Sequence, residues 1–321
     1  MMSSGYLKIA KIVVSTGILL FLFYQIDPAT LLDQFLNLSV YVFLLAFGLL
    51  FSQSLLSAYK WQIILKTEGL WAPYLYLLKS YLIGNFLSLF LPSSFGGDVY
   101  RIYALKKYSP DNFQNTSSVL FDRITGLFAL LSISLFSFAF FYKSVLDERI
   151  YLVYTFVIAT FIVMTSRWFL RFSEKYPSKL IQFPRKILLS FSRYKSNLYI
   201  LAIILFISLV FQSNIVLLNK VFAMALNIEI DLLYLYMIIP LVFLTEALPI
   251  SINGLGVREG TLVVFMQQAG FSTEQGLALG LLVISARYLY IVPLGGILFF
   301  AEMMKAKGIS KSKPPHSFKA I

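Results

Sequence analysis

The stretch "YLYLLKSYLIGNFLSLFLPSSFGGDVYR", residues 74–101, opens as an apolar run and closes with two glycines, an aspartate and an arginine inside six residues. Pro92, Gly96 and Gly97 interrupt what would otherwise read as one continuous helix. Backbone that stops being helical at membrane depth is tolerated only where protein or a water-filled cavity supplies its hydrogen bonds. The break therefore lines something other than lipid, provided that the stretch lies in a membrane at all.

The rest of the chain places it there. Of 321 residues, 59% are hydrophobic and only 13% charged, where a soluble domain carries about a quarter charged residues. The mean hydropathy is +0.79. Apolar runs near 9–26, 40–59, 117–141, 150–168, 198–219 and 276–302 each approach the ~20 residues that a helix needs to cross the hydrocarbon core. The ten-residue alternation of a membrane β-barrel is absent. The chain thus reads as an all-α polytopic membrane protein with about six spanning helices and two broken apolar segments, 73–107 and 233–270. Lys8 and Lys11 precede the first run as in a signal peptide, but no small-residue cleavage site follows "LLFLFYQIDPATLL", so an uncleaved first helix is expected. The expected organisation is an integral membrane domain over 1–304 and a basic cytoplasmic tail over 305–321.

With no cysteine and a single histidine, His316 in the tail, neither a metal site, nor a cofactor, nor thiol chemistry is expected. The net charge of +12 does not imply nucleic acid, because the cations collect in loops. Lys60, Lys66 and Lys79 follow the second run, and the 167–195 loop sets eight Lys and Arg against Glu174. The tail adds Lys305, Lys307, Lys311, Lys313 and Lys319, whereas the intervening loops are acidic or mixed (Asp27, Asp33; Asp147, Glu148, Arg149; Glu229, Asp231). The positive-inside rule places both termini in the cytoplasm, and the plasma membrane is the expected location. Segment 73–107 then starts and ends inside, and 233–270 starts and ends outside, giving two re-entrant hairpins of opposite orientation. "LPSSFGGDVYR" and "LPISINGLGVREG" also echo each other: Pro92 with Pro249, Gly96 and Gly97 with Gly254 and Gly256, Arg101 with Arg258. A helix carrying an arginine follows each, Arg123 and Arg287. That is the pattern of an inverted repeat whose broken helices build a site near the midplane.

Charges inside such segments cost ~3 kcal/mol each near the bilayer centre and need partners. Asp122 and Arg123 stand about one turn into "SSVLFDRITGLFALLSISLF"; neighbours on a helix point about 100° apart, so each needs its own partner. The expectation is Arg123 on Asp98 and Asp122 on Arg101. In "NGLGVREG", Gly254, Gly256 and Gly260 surround Arg258 and Glu259; freed N–H groups, a restarting helix and a guanidinium fork suit a phosphate. A tight turn with a surface ion pair is the plainer alternative. Glu246 could neutralise Arg258 or Arg287 or carry a proton, and Arg287 could pair with Glu246 or Glu259. Asn85, the rough counterpart of Glu246 in the first hairpin, suits an interhelical hydrogen bond.

These residues resemble the lysylphosphatidylglycerol synthase transmembrane family, also called flippase-like integral membrane proteins. The matching positions are Asn85, Pro92, Gly96, Gly97, Asp98, Arg101, Asp122, Arg123, Glu246, Pro249, Gly254, Gly256, Arg258 and Glu259. The resemblance implies movement of phospholipids, aminoacylated ones in the best-known members, between leaflets. After the last helix only about 20 residues follow, so the synthase activity of multidomain members is not carried over.

The leading expectation is translocation of a phosphate-bearing lipid through a polar cavity where the hairpins meet, with no catalytic residues. The expected partners are membrane lipids with anionic or phosphate headgroups; a second copy of the chain or a separate lipid-modifying enzyme are candidates beside them. No P-loop appears, so ATP-driven pumping by this chain is not expected. An enzyme acting on a polyprenyl-phosphate substrate, an inverted-repeat solute transporter and a structural subunit are the competing readings. The first lacks an Asp-x-Asp pair and an intramembrane histidine, and the last leaves the charges at two breaks without a purpose.

Overall fold

The computed structural model describes residues 38–90, 96–141, 197–246 and 254–311. The runs 9–26 and 150–168, the 167–195 loop, Pro92 and Pro249 lie outside these residues. Eight helices and no strand occur among the described residues. They are α1 (Val40–Thr67), α2 (Tyr74–Ser88), α3 (Gly96–Leu105), α4 (Asn112–Phe141), α5 (Leu198–Ala225), α6 (Leu232–Glu246), α7 (Val257–Gln268) and α8 (Thr273–Lys311). Four of them, α1, α4, α5 and α8, are long and apolar enough to cross a membrane.

Local signals start these helices where the apolar runs begin. The Ser39 hydroxyl accepts from the Tyr41 N–H ahead of α1, and the Asn197 side chain accepts from the Ile200 N–H ahead of α5. The helices run further than hydropathy alone suggests, because polar residues that face protein do not stop them. α1 continues past 59 to Thr67, and α4 starts at Asn112 rather than 117. Asp122 therefore stands ten residues into its helix, not one turn. Lys60 and Lys79, expected in a cytoplasmic loop, lie within α1 and α2.

The order long helix, hairpin, long helix occurs twice: α1, α2–α3, α4 and then α5, α6–α7, α8. Cross-contacts show that the second set is inverted. Ser52 meets Asn214 while Lys60 meets Ser208, so α1 and α5 are antiparallel. Ser134 donates to the Met237 carbonyl and Ser137 to that of Leu233, making α4 and α6 antiparallel. Gly295 on α8 lies against Leu82 and Phe86 of α2, and Glu302 against Lys79, so the first hairpin enters from the C-terminal end of α8. Gly276 lies against Val263 and Met266, and Tyr234 donates to the Phe265 carbonyl, so the second hairpin enters from the opposite end.

Lipid is as apolar as leucine, so helix association rests on close packing and interhelical hydrogen bonds. One apolar cluster joins α1, α2, α5, α6, α7 and α8 around Phe86, Phe222, Met237, Met266 and Leu282. A smaller one, with Trp61, Leu65, Leu77, Leu105 and Val119, seats the first hairpin against α1 and α4.

Candidate functional site

The first hairpin brings five charges together. Asp98 and Arg101, one helical turn apart on α3, face the same way and lie 3.4 Å apart. Arg101 Nη2 reaches Asp122 Oδ2 at 2.9 Å, and Arg123 Nε reaches Asp98 Oδ2 at 2.7 Å. Both expected pairings are therefore present, each neighbour on α4 serving a different partner.

The fifth charge is one that sequence reasoning assigned to a loop. Lys60 Nζ pairs with Asp122 Oδ1 at 2.8 Å and donates to the Asp122 carbonyl at 3.0 Å and to Ser208 Oγ at 3.1 Å. With 6% of its surface exposed, Lys60 has its ammonium among three oxygens inside protein. A signal existed: "SQSLLSAYKW" places Ser54, Ser57 and Lys60, with Trp61, at helical spacing. The Arg101 guanidinium lies over the Trp61 ring, 4.2 Å from its centroid, and 5.5 Å from that of Tyr81. Such stacking suits a desolvated arginine. The cluster holds three cations and two carboxylates, and Arg123, with 46% of its side chain exposed, is the member that reaches outward.

The glycines explain how α2 and α3 come close enough. A methyl group built on Gly97 would meet the Gly84 carbonyl oxygen, and one on Gly84 would lie 2.8 Å from that of Gly97. Gly96 and Gly97 are buried in the first turn of α3, and Gly97 N–H donates to Ser88 Oγ at 2.9 Å. Asn85 lies half-buried on α2.

The second hairpin is closed by its own residues. Gly254 and Gly256 adopt φ of 78° and 81°, values that a side chain resists. The Gly256 N–H donates to Glu259 Oε2 at 2.8 Å, and Arg258 Nη2 donates to Glu259 Oε1 at the same distance. The carboxylate of Glu259, 1% exposed, thus occupies the place that the sequence suggested for a ligand anion at this helix start. Glu246 packs against Gly254 and pairs with Arg287 Nη1 at 3.6 Å, not with Arg258. The reason is that the end of α6 comes within side-chain reach of the middle of α8 at Arg287. Arg287 also stands 5.7 Å from the centroid of the Phe243 ring. A small cavity beside Arg258, lined by Asn219, Val242 and Gly280 among others, has room for about one water.

The two hairpins come to the same stretch of α8 from opposite ends, with Glu246 at Arg287 and Leu82 with Phe86 at Gly295. No group of three or more acidic or histidine residues able to hold a metal occurs among the described residues.

Oppositely entering hairpins and four apolar helices of crossing length define a polytopic helical membrane protein with ion pairs buried between its helices. The family model of the lysylphosphatidylglycerol synthase transmembrane region matches residues 8–295, and the chain belongs to that family. No curated protein and no solved structure matches it. Membership associates this integral membrane protein with membrane lipids.

Proposed function

We propose that the chain moves a phosphate-bearing lipid between leaflets, the headgroup passing the two charge clusters while the acyl chains stay in the bilayer. The observation that carries this reading is the cluster around Asp98, with its excess positive charge and the outward-reaching Arg123. A guanidinium donates to carboxylate and phosphate oxygens alike, so Arg123 can exchange part of its present contacts for those of a phosphate. Arg287 and Glu246 stand further apart, at 3.6 Å, and form the second station, where a phosphate can take the arginine and leave the carboxylate to a cationic group. Movement is downhill or coupled to a proton on Glu246. The setting proposed is the plasma membrane, with the 66–79 side facing the cytoplasm, as its lysines favour.

The test is exchange of fluorescent phosphatidylglycerol and an aminoacylated analogue in proteoliposomes, read by quencher accessibility. The wild-type protein should exceed protein-free vesicles. Arg123→Gln should lose about tenfold in rate, the effect of one charged hydrogen bond, and Arg123→Lys should retain part of it. No exchange with any anionic or zwitterionic lipid overturns the proposal.

A further inference from the structure

A third polar group lies apart from both clusters, at the C-terminal end of α8. Glu302 Oε2 accepts a hydrogen bond from the Tyr100 hydroxyl of α3 at 2.9 Å and pairs with Lys79 Nζ of α2 at 3.2 Å. Unlike the buried charges, these two are open: 41% of the Glu302 side chain and 29% of that of Lys79 are exposed. Around them the surface is apolar, with Val99, Tyr103, Phe300, Met303 and Met304 all exposed. An open ion pair of this kind contributes little by itself and separates at small cost. Its exposed atoms leave room for a polar partner from outside the chain.

The surroundings indicate which partner. Lys79 is near the start of α2 and Glu302 near the end of α8, the end at which the first hairpin enters, so the group lies toward headgroup depth. An aromatic strip leads from it toward the middle of α8. Phe299 and Phe300 have ring centroids 5.5 Å apart, Phe86 lies 5.8 Å from Phe299, and Phe90 lies 5.1 Å from Phe86. Phe300 and Phe90 are exposed, with Phe86 buried between them. A polar head at the interface with an apolar strip running inward has the polarity and direction of one phospholipid of that leaflet.

We infer that this notch binds a zwitterionic phospholipid, its phosphate on Lys79, its ammonium on Glu302, and an acyl chain along Phe300 and Phe90. Tyr100 holds the carboxylate in place. A purely anionic headgroup satisfies Lys79 but meets Glu302 as a like charge, so the pair selects for a headgroup carrying both signs. That the notch loads the translocation path rests on the function proposed above. Tyr100, Asp98 and Arg101 share the ten-residue helix α3, which joins the two sites.

The experiment is native mass spectrometry of the purified full chain, equilibrated with equal amounts of phosphatidylethanolamine and phosphatidylglycerol. The wild type should retain phosphatidylethanolamine preferentially. Glu302→Gln should reduce that preference about fivefold, the effect of one charge at headgroup level. Lys79→Gln should lower retention of both lipids. Phe300→Ala should lower total retention without altering the preference, which separates lost binding from a failure to fold. A wild type that holds phosphatidylglycerol equally well, or a preference that Glu302→Gln leaves unchanged, overturns the notch. Lipid exchange is measured on the same samples. Exchange without any Glu302-dependent preference overturns the notch and leaves translocation standing. A Glu302-dependent preference without exchange supports the notch and removes the translocation reading instead.

Discussion

Lys60 shows how one side chain reorganises a site. Its ammonium and the Arg101 guanidinium hold the two oxygens of Asp122, and all three side chains are more than nine-tenths buried. Replacing one partner of a buried pair leaves an uncompensated charge, at a cost of about 3–5 kcal/mol. Lys60→Met should fall at the lower end, about 3 kcal/mol, because Arg101 stays on Asp122. Thermal unfolding in detergent checks this. An unchanged midpoint would mean that Lys60 only sets topology, the role its place among other lysines suggested.

At the scale of the element, the hairpins are defined by backbone contact more than by side-chain volume. α2 is pressed between α3 and α8: a methyl group on Gly295 would lie 2.6 Å from the Leu82 carbonyl oxygen. Gly97→Ala and Gly295→Ala should each destabilise the fold by about 1–3 kcal/mol, the usual cost of overpacking. Gly48 of α1 has nothing within 4 Å of such a methyl group, so Gly48→Ala should leave the midpoint unchanged or raise it. Equal effects at all three positions would show that helix propensity, not close approach, decides. The second hairpin is built differently, since Glu259 both caps the start of α7 and neutralises Arg258. Under the function proposed above, that difference makes the first hairpin, with the exposed Arg123, the one to meet a headgroup first.

At the scale of the whole molecule, inversion is the property to test. Antiparallel α1 and α5 and oppositely entering hairpins require the ends of the two hairpins to emerge on opposite faces. Lys106, just after α3, and Glu229, just before α6, are both exposed. The chain has no cysteine of its own, so Lys106→Cys and Glu229→Cys each give one label site. In sealed vesicles of one orientation, an impermeant maleimide should reach one of them from outside and the other only after the membrane is opened. Labelling of both from one side would contradict the inversion.

Composition and apolar run length by themselves determined the all-α membrane class, since a crossing helix must satisfy its own backbone and present apolar side chains. The motif spacing around Pro92 and Pro249 further indicated the two breaks and, through loop charge, their opposite entry. The pairs Asp98–Arg123 and Asp122–Arg101 were legible too, because adjacent residues on a helix cannot share a partner. Helix ends, and with them the places of Lys60 and Lys79, were not: hydropathy counts a lysine paired within a helix as a loop residue. Nor could spacing choose between Arg258 and Arg287 as the partner of Glu246, or foresee that Glu259 would fill its own helix start. Those outcomes depend on which side chains the fold brings together, and only the tertiary structure, which sets the end of α6 within reach of Arg287 and packs α1 against α4 and α5, decided them.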